Sequence, residues 1–267
     1  MDLKALHRYL AIRDRMAGWF SPGAARLFAW VNRIQKEAGV VGDLFEIGVH
    51  QGKSTVLLGL MTDFRKESLG VCDLFDSQER NVTGSGNGNK GIFLSNFDSY
   101  VGNRDFLRVY EKSSGELTLE ETGTRCRFFY IDGGHLAEEV FGDLRLAEKA
   151  LLEQGIIVAD DYFNNVWPGV SEGVCRFLMQ NPGRLVPLAV GFHRILLVRS
   201  AAQKWYLGRL RSKGWGEYLA DPTPDVKLKR FFGVDALAYL PEETPSVPRR
   251  ILSRVKRALV LNGARVR

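Results

Sequence analysis

Residues 44–55, LFEIGVHQGKST, constrain the fold more than any other stretch of this chain. A short apolar run ends at Glu46, Gly48 and Gly52 bracket a tight turn, and Ser54 and Thr55 lead into an apolar segment of helical character. A strand, a glycine loop and a helix start in succession form the opening of a βαβ unit. Glycine lacks a Cβ, so it admits both a sharp turn and close approach of a ligand, while the helix start offers free N–H groups. The spacing predicts a bound ligand here. It leaves open a nucleotide phosphate, a dinucleotide or another adenosine-bearing group.

The remaining sequence repeats the alternation. Apolar positions at Leu6, Tyr9, Leu10, Ile12 and Met16 predict a first helix, and Ser21-Pro22 starts a second that runs to Gly39. Leu69–Cys72 is a second strand ending at Asp73, close to the ~20-residue interval at which an acid meets a ribose in dinucleotide-binding units. A right-handed crossover sets Asp73 beside the glycine loop. The segment 81–91, NVTGSGNGNKG, reads either as a surface excursion or as a lid over a ligand.

A helix over 92–101 and a third strand over 106–110 follow, the strand leading to Ser113 and Ser114. Residues 127–132, RFFYID, form a fourth strand and 156–159 a fifth, which ends at Asp160 and Asp161. Two further strands, 185–189 and 195–198, are too closely joined for a parallel crossover and must be antiparallel. The expected fold is therefore α/β: a Rossmann-like, mainly parallel sheet with a terminal antiparallel hairpin and helices on both faces. No internal repeat is evident.

Composition sets the limits. The 267 residues are 45% hydrophobic, enough for a full core, and divide into N-terminal helices (1–40), a central domain (41–200) and a basic aromatic extension (201–267). The extension carries 14 Lys and Arg against 6 Asp and Glu, so it accounts for the net charge of +6. Its segment 249–261, RRILSRVKRALVL, reads as an amphipathic helix that packs on the body or meets an anionic membrane surface or a partner. Nucleic acid is disfavoured because no recognisable module accompanies the basic residues. Cys72, Cys126 and Cys175 have neither CxxC nor metal-ligand spacing, and their odd number argues against a disulfide framework. The charged start resembles no signal peptide, and no apolar run approaches a bilayer span, so a cytoplasmic location is expected, with a peripheral membrane association through the tail as a variant. Assembly is left open, a homo-oligomer included.

Spacing narrows the ligand. GVHQGKST is one residue shorter than the phosphate-binding pattern GxxxxGK[ST], and His50 breaks GxGxxG. A carboxylate at Glu46 repels a pyrophosphate and attracts a cation. An adenosine that carries positive charge fits both facts. Asp132, Asp160 and Asp161 all follow strand ends, and three clustered carboxylates repel one another unless a cation such as Mg²⁺ joins them.

With these residues in place, the chain resembles the class I S-adenosylmethionine-dependent methyltransferases. The resembling features are Glu46-Ile-Gly-x-x-x-Gly-x-Ser, Asp73 and Ile131-Asp132-Gly-Gly-His135, and the small-molecule O-methyltransferase branch with macrocin-type sugar enzymes is the nearest. The resemblance covers roughly residues 20–200 and implies a seven-stranded sheet. It implies that Gly48, Gly52, Glu46 and Ser54 hold the methionine part of S-adenosylmethionine, that Asp73 holds the ribose, that Ser113 and Ser114 lie near adenine, and that Asp132 borders the cofactor. It further implies Mg²⁺ at Asp132, Asp160 and Asp161, and a small-molecule or glycoconjugate acceptor. His135 is the first candidate base and His50 the second. Where some sugar enzymes carry a base after the paired acids, this chain has Tyr162, Phe163 and Asn164. Asn164, Asn165, Trp167 and Pro168 are expected to line the acceptor pocket. Two other readings stand beside this one: a P-loop-like nucleotide-binding protein, and a noncatalytic membrane-surface module with a vestigial cofactor site.

Overall fold

Local signals produce the first elements. Asp2 caps α1 (Leu3–Ile12) by accepting Ala5 N–H at 2.8 Å. Ser21 caps α2 (Pro22–Glu37) by accepting Ala24 N–H at 3.2 Å, and Pro22 occupies a first-turn position that needs no donor. The computed structural model describes residues 1–211 and 225–240. Within them β1 (Asp43–Ile47), β2 (Leu69–Asp73), β3 (Leu107–Glu111), β4 (Cys126–Ile131) and β5 (Leu151–Ala159) pair in parallel.

The helices α3 (Lys53–Met61), α4 (Lys90–Tyr100), α5 (Leu119–Thr122), α6 (Ala137–Ala150) and α7 (Pro168–Gln180) lie between or after these strands. The antiparallel pair β6 (Leu185–Gly191) and β7 (Arg194–Arg199) then leads to α8 (Ser200–Leu210). The strand order is β3-β2-β1-β4-β5-β7-β6-β9-β8, which reverses direction between β1 and β4. Open α/β sheets bind ligands at the carboxyl ends of the strands beside such a reversal.

Alternation along β4 builds the two halves of the core. Phe128 and Tyr130 pack with Phe28 of α2, Leu57 of α3 and Tyr206 of α8, whereas Phe129 and Ile131 pack with Leu144 of α6 and Phe177 of α7. Each such buried side chain contributes roughly 1.5–3 kcal/mol. The two layers hold the strand ends rigid.

Among the described residues the sheet has nine strands where seven were expected. Two strands, β8 (Asp225–Phe231) and β9 (Val234–Leu240), come from the basic extension, and β9 runs parallel to β6 through Ala189–Leu237 and Val190–Ala238. The physical reason is the edge that β6 otherwise exposes: β9 covers it and buries Ala236, Leu237 and Tyr239. The hairpin turns through Phe232 and Gly233, both left-handed at φ 48° and 76°. A Phe-Gly turn lacks the usual Asn-Gly signal, which hid it in the sequence. The expected helix 249–261, with Trp215 and Tyr218, lies outside the described residues. No helix among the described residues is long and apolar enough to cross a membrane. All three cysteines are free, with Cys72 and Cys126 buried.

Candidate functional site

The glycine loop sits where expected, but its glycines serve the fold first. Gly48 has φ 87°, and a Cβ there would lie 1.9 Å from the carbonyl oxygen of Asp132. At Gly52, φ 86°, it would meet the Phe93 ring at 2.6 Å. Bare backbone at both positions lets β4 and α4 close against the loop. Asp73 does lie beside it: Oδ2 accepts Val49 N–H at 2.6 Å and His50 N–H at 2.8 Å, and Oδ1 accepts Phe75 N–H at 2.5 Å. The loop is thereby held in one shape by the carboxylate expected to meet a ribose.

Glu46 departs from expectation. It is fully buried, accepts the Ser54 hydroxyl through Oε1, and leaves Oε2 without a partner. Burial raises its pKa to about 8 against the opposing Ser54 bond. It therefore presents no free carboxylate at the loop mouth, and Ser54 is engaged with Glu46.

The strand-end acids converge. Backbone bonds lace the strand ends together, Asp132 N–H donating to Ile47 O at 2.7 Å and Asp160 N–H to Ile131 O at 2.8 Å. The hydroxyl of Tyr130 lies 3.0 Å from Asp132 Oδ2 and closer still to Asp160 Oδ2. Both carboxyls therefore converge on one phenol oxygen. Burial, followed by repulsion from Asp160, raises Asp132 well above the usual carboxylate range despite Arg194, and Asp160 is also raised by burial.

Arg194 enters this cluster from β7. Its guanidinium donates to Asp160 Oδ2, to the Tyr130 hydroxyl at 3.3 Å and to Phe192 O at 2.6 Å, and it lies 5.1 Å from the centre of the Phe20 ring. Burial alone would lower its pKa, but Asp160, Tyr130 and Asp132 keep it protonated.

The Mg²⁺ expectation meets this geometry and does not fit. Asp160 Oδ1 accepts Asp161 N–H at 2.8 Å, while its Oδ2 is taken by Arg194 and Tyr130. Asp161 Oδ1 accepts the Asn164 amide at 2.6 Å, and its Oδ2 lies 3.0 Å from His135 Nε2. Among the described residues no group of three or more His, Cys, Asp or Glu side chains has a metal-holding arrangement. The acids are assembled as the sequence implied, but both oxygens of Asp160 and of Asp161 are engaged by protein groups. The repulsion that suggested a metal is relieved by a guanidinium and by protons.

His135 and Asp161 form a pair on the accessible side. Asp161 adopts φ 54°, a strained left-handed conformation for a residue other than glycine. Burial pushes its pKa up, but the bonds from His135 and Asn164 outweigh this and hold it below the usual value. With Nε2–H directed to Asp161, the imidazole leaves Nδ1 as an acceptor, and Nδ1 is buried with no protein partner. Trp167 stacks on the ring at 4.3 Å. The two residues border a cleft of about 310 Å³, also lined by Thr83, Glu138 and Glu172. His50 is elsewhere, on the glycine loop at φ 55° and 5.5 Å from the Trp19 ring. Residues 81–89 cover that region: Asn89 N–H donates to His50 O at 3.2 Å, and Thr83 reaches the cleft.

Ser113 caps a short turn after β3, and Ser114 follows it near the buried Asp143 of α6, whose pKa burial raises to about 7. Asp143, Tyr130 and Arg194 were missed in the sequence. Arg194 left one signal there, a single cation opening the apolar run ILLV immediately after a turn.

The chain resembles known proteins in the same places. Residues 45–162 match the family model of a methyltransferase domain, a span from β1 to the loop after β5. No curated protein matches the sequence. Among solved structures, the O-methyltransferase NovP is 19% identical, with 69% of this chain and 84% of that one covered and a TM-score of 0.55. The calicheamicin methyltransferase CalS11 is 14% identical, with 73% and 91% covered and a TM-score of 0.50. At these identities the likeness shows the fold.

Proposed function

We propose that this chain, which matches the model of a methyltransferase domain over residues 45–162, is an S-adenosylmethionine-dependent methyltransferase and that it methylates a hydroxyl of a sugar, glycoconjugate or related small molecule. The observation that supports the reading is the His135–Asp161 pair: His135 lines a cleft walled by Trp167, Glu138 and Glu172, and its Nδ1 is buried without a protein partner. Trp167 offers an apolar face to a sugar ring, and Glu138 and Glu172, both ion-paired to Arg176, can accept its hydroxyl protons.

Cofactor residues are assigned on the same footing. Gly48, Gly52 and the start of α3 would border the methionine portion, Asp73 the ribose, and Ser113 and Ser114 the adenine side. Asp161, held in its charged form by His135 and Asn164, and the acids beside it at the strand ends suit a positively charged donor. Glu46 Oε2 and His50 Nδ1 are buried polar atoms without protein partners at the same loop. S-adenosylmethionine supplies a methyl group on a positively charged sulfur, an electrophile toward oxygen.

In this reading Asp161 fixes the imidazole by accepting from Nε2, and Nδ1, buried in this structure, takes the hydroxyl proton once acceptor binding opens it to the cleft and the oxygen becomes nucleophilic. Asp161 then stabilises the imidazolium. No step passes through a metal ion. Thermal-shift measurements with S-adenosylhomocysteine, ATP and NAD test the donor site, and transfer of labelled methyl to a panel of sugar and phenol acceptors tests the reaction. Stabilisation by S-adenosylhomocysteine alone is expected; stabilisation by ATP alone would favour the P-loop-like alternative. On an acceptor so found, His135→Ala is expected to lower turnover by ~10²–10⁴-fold with binding of S-adenosylhomocysteine retained. Unchanged turnover would remove His135 from the mechanism.

A further inference from the structure

We infer that Arg194 is the resident cation of the strand-end acid cluster and that this chain carries out its transfer without a divalent ion. The inference rests on the function proposed above.

Its basis is the way the chain delivers the guanidinium. The turn between β6 and β7 is made by Phe192 and His193, both left-handed at φ 55° and 60°. His193 O accepts Tyr162 N–H at 2.8 Å, which ties the turn to the loop that follows Asp160 and Asp161. Antiparallel pairing sets Ile195 opposite Ala159, so the next residue outward on each strand brings Arg194 to Asp160. Arg194 is 3% exposed, and the Phe20 ring covers it from the α2 side. An arginine placed by register, turn and packing together is a built feature of the site.

The same placement opposes a hard divalent ion. Mg²⁺ requires near-octahedral oxygen ligation and usually keeps several waters. Both oxygens of Asp160 and both of Asp161 already have protein partners. The cavity against Asp132, Asp160 and Asp161 is about 10 Å³, room on the order of one water molecule. An ion entering there would also meet a fixed guanidinium in a low-dielectric setting, where like charges repel strongly. Arg194 carries one charge where a metal carries two. It neutralises Asp160 and leaves Asp161 free to orient His135, and it is a positioning residue, since it acts through Asp160 and Tyr130.

The test uses the full chain and needs no acceptor. Wild type, Arg194→Ala, Arg194→Lys and Asp160→Asn are each titrated with MnCl₂, followed by electron paramagnetic resonance and melting temperature. Affinity for S-adenosylhomocysteine is measured with chelator and with Mg²⁺. Wild type and Arg194→Lys are expected to bind no stoichiometric Mn²⁺ and to change S-adenosylhomocysteine affinity by less than about twofold. Arg194→Ala, with its acids released, is expected to acquire a Mn²⁺ site and a metal-dependent rise in melting temperature, which a purely structural arginine would not produce.

One tightly bound Mn²⁺ in wild type, lost in Asp160→Asn, overturns the inference. A folded Arg194→Ala with no gain of metal binding also overturns it. If Arg194→Ala does not fold, the wild-type and Asp160→Asn titrations decide alone. Failure of S-adenosylhomocysteine to bind any form defeats the methyl-transfer reading separately, because the metal titrations do not depend on it.

Discussion

Two arginines are buried in this sheet, and they meet opposite circumstances. Arg127, near the start of β4, donates Nε to Glu67 Oε1 at 2.7 Å and Nη2 to Glu67 Oε2 at 3.0 Å; Gln35 Oε1 and Met61 O accept its remaining contacts at 2.8 and 3.1 Å. One cation meets one carboxylate in a bidentate fork, with neutral acceptors for the rest. Arg194, at the other end of the strands, faces Asp160, Asp132 and a tyrosine, and its Nε has no partner. Charge balance at the first end locks α2 to the sheet. At the second, burial first and then the neighbouring acids raise the pKa values of Asp132 and Asp160, the pattern of a functional site.

Breaking the balanced end gives the largest change in stability. Arg127→Ala leaves Glu67 buried and unpaired, and the cost is expected to be about 3–5 kcal/mol, read as a fall in the denaturant midpoint. A loss below 1 kcal/mol would mean that water reaches Glu67 and that the two ends differ less than their contacts show.

The pH dependence sharpens the contrast because the two ends have opposite sign. Glu67 is pushed up by burial, but the Arg127 bonds and charge outweigh this and leave it lowered. Its contribution is present above its unfolded pKa and is lost on acidification. Glu46 is raised from 4.5 to about 8, so its contribution is full below pH 4.5 and is lost as pH rises through about 8. Asp143, raised from 3.8 to about 7, acts in the same direction over a lower window. Glu46→Gln is expected to flatten the decline between pH 5 and 8 by on the order of 2–3 kcal/mol, followed by urea unfolding at several pH values. An unaltered decline would place the titrating group elsewhere.

The smallest effect belongs to an exposed pair. Lys90 and Glu111 are 2.7 Å apart at the rim, both more than one-third exposed. Glu111→Gln is expected to cost less than about 1 kcal/mol, and salt should erase even that, whereas the Arg127 pair should be nearly indifferent to salt. Equal salt sensitivity at the two pairs would contradict the burial that separates them.

Much of this was legible before the structure. The Ser21-Pro22 helix start, the strand endings at Asp73, Asp132 and Asp160, and the antiparallel hairpin all follow from local periodicity and turn chemistry. The convergence of Asp132, Asp160 and Asp161 was legible as well, since parallel strands that end in acids bring those acids to one edge. Their state was not. Glu46 read as a free carboxylate because nothing in its own segment reveals that Ser54 and the core enclose it. The hairpin formed by residues 225–240 was hidden because a charged, irregular stretch becomes a strand only when β6 offers it an edge.

The sequence by itself determined the order of the elements, the glycine loop and the positions of the acids, because such signals are written within about one turn or one strand of the residues concerned. The tertiary structure alone decided what balances those acids. Arg127 and Glu67 are separated by 60 residues and Arg194 and Asp160 by 34, and each pairing depends on how distant segments pack. For Arg194 the deciding contact is the antiparallel register of β7 on β5. A shift of one residue would turn its guanidinium to the other face of the sheet and leave the cluster without its cation.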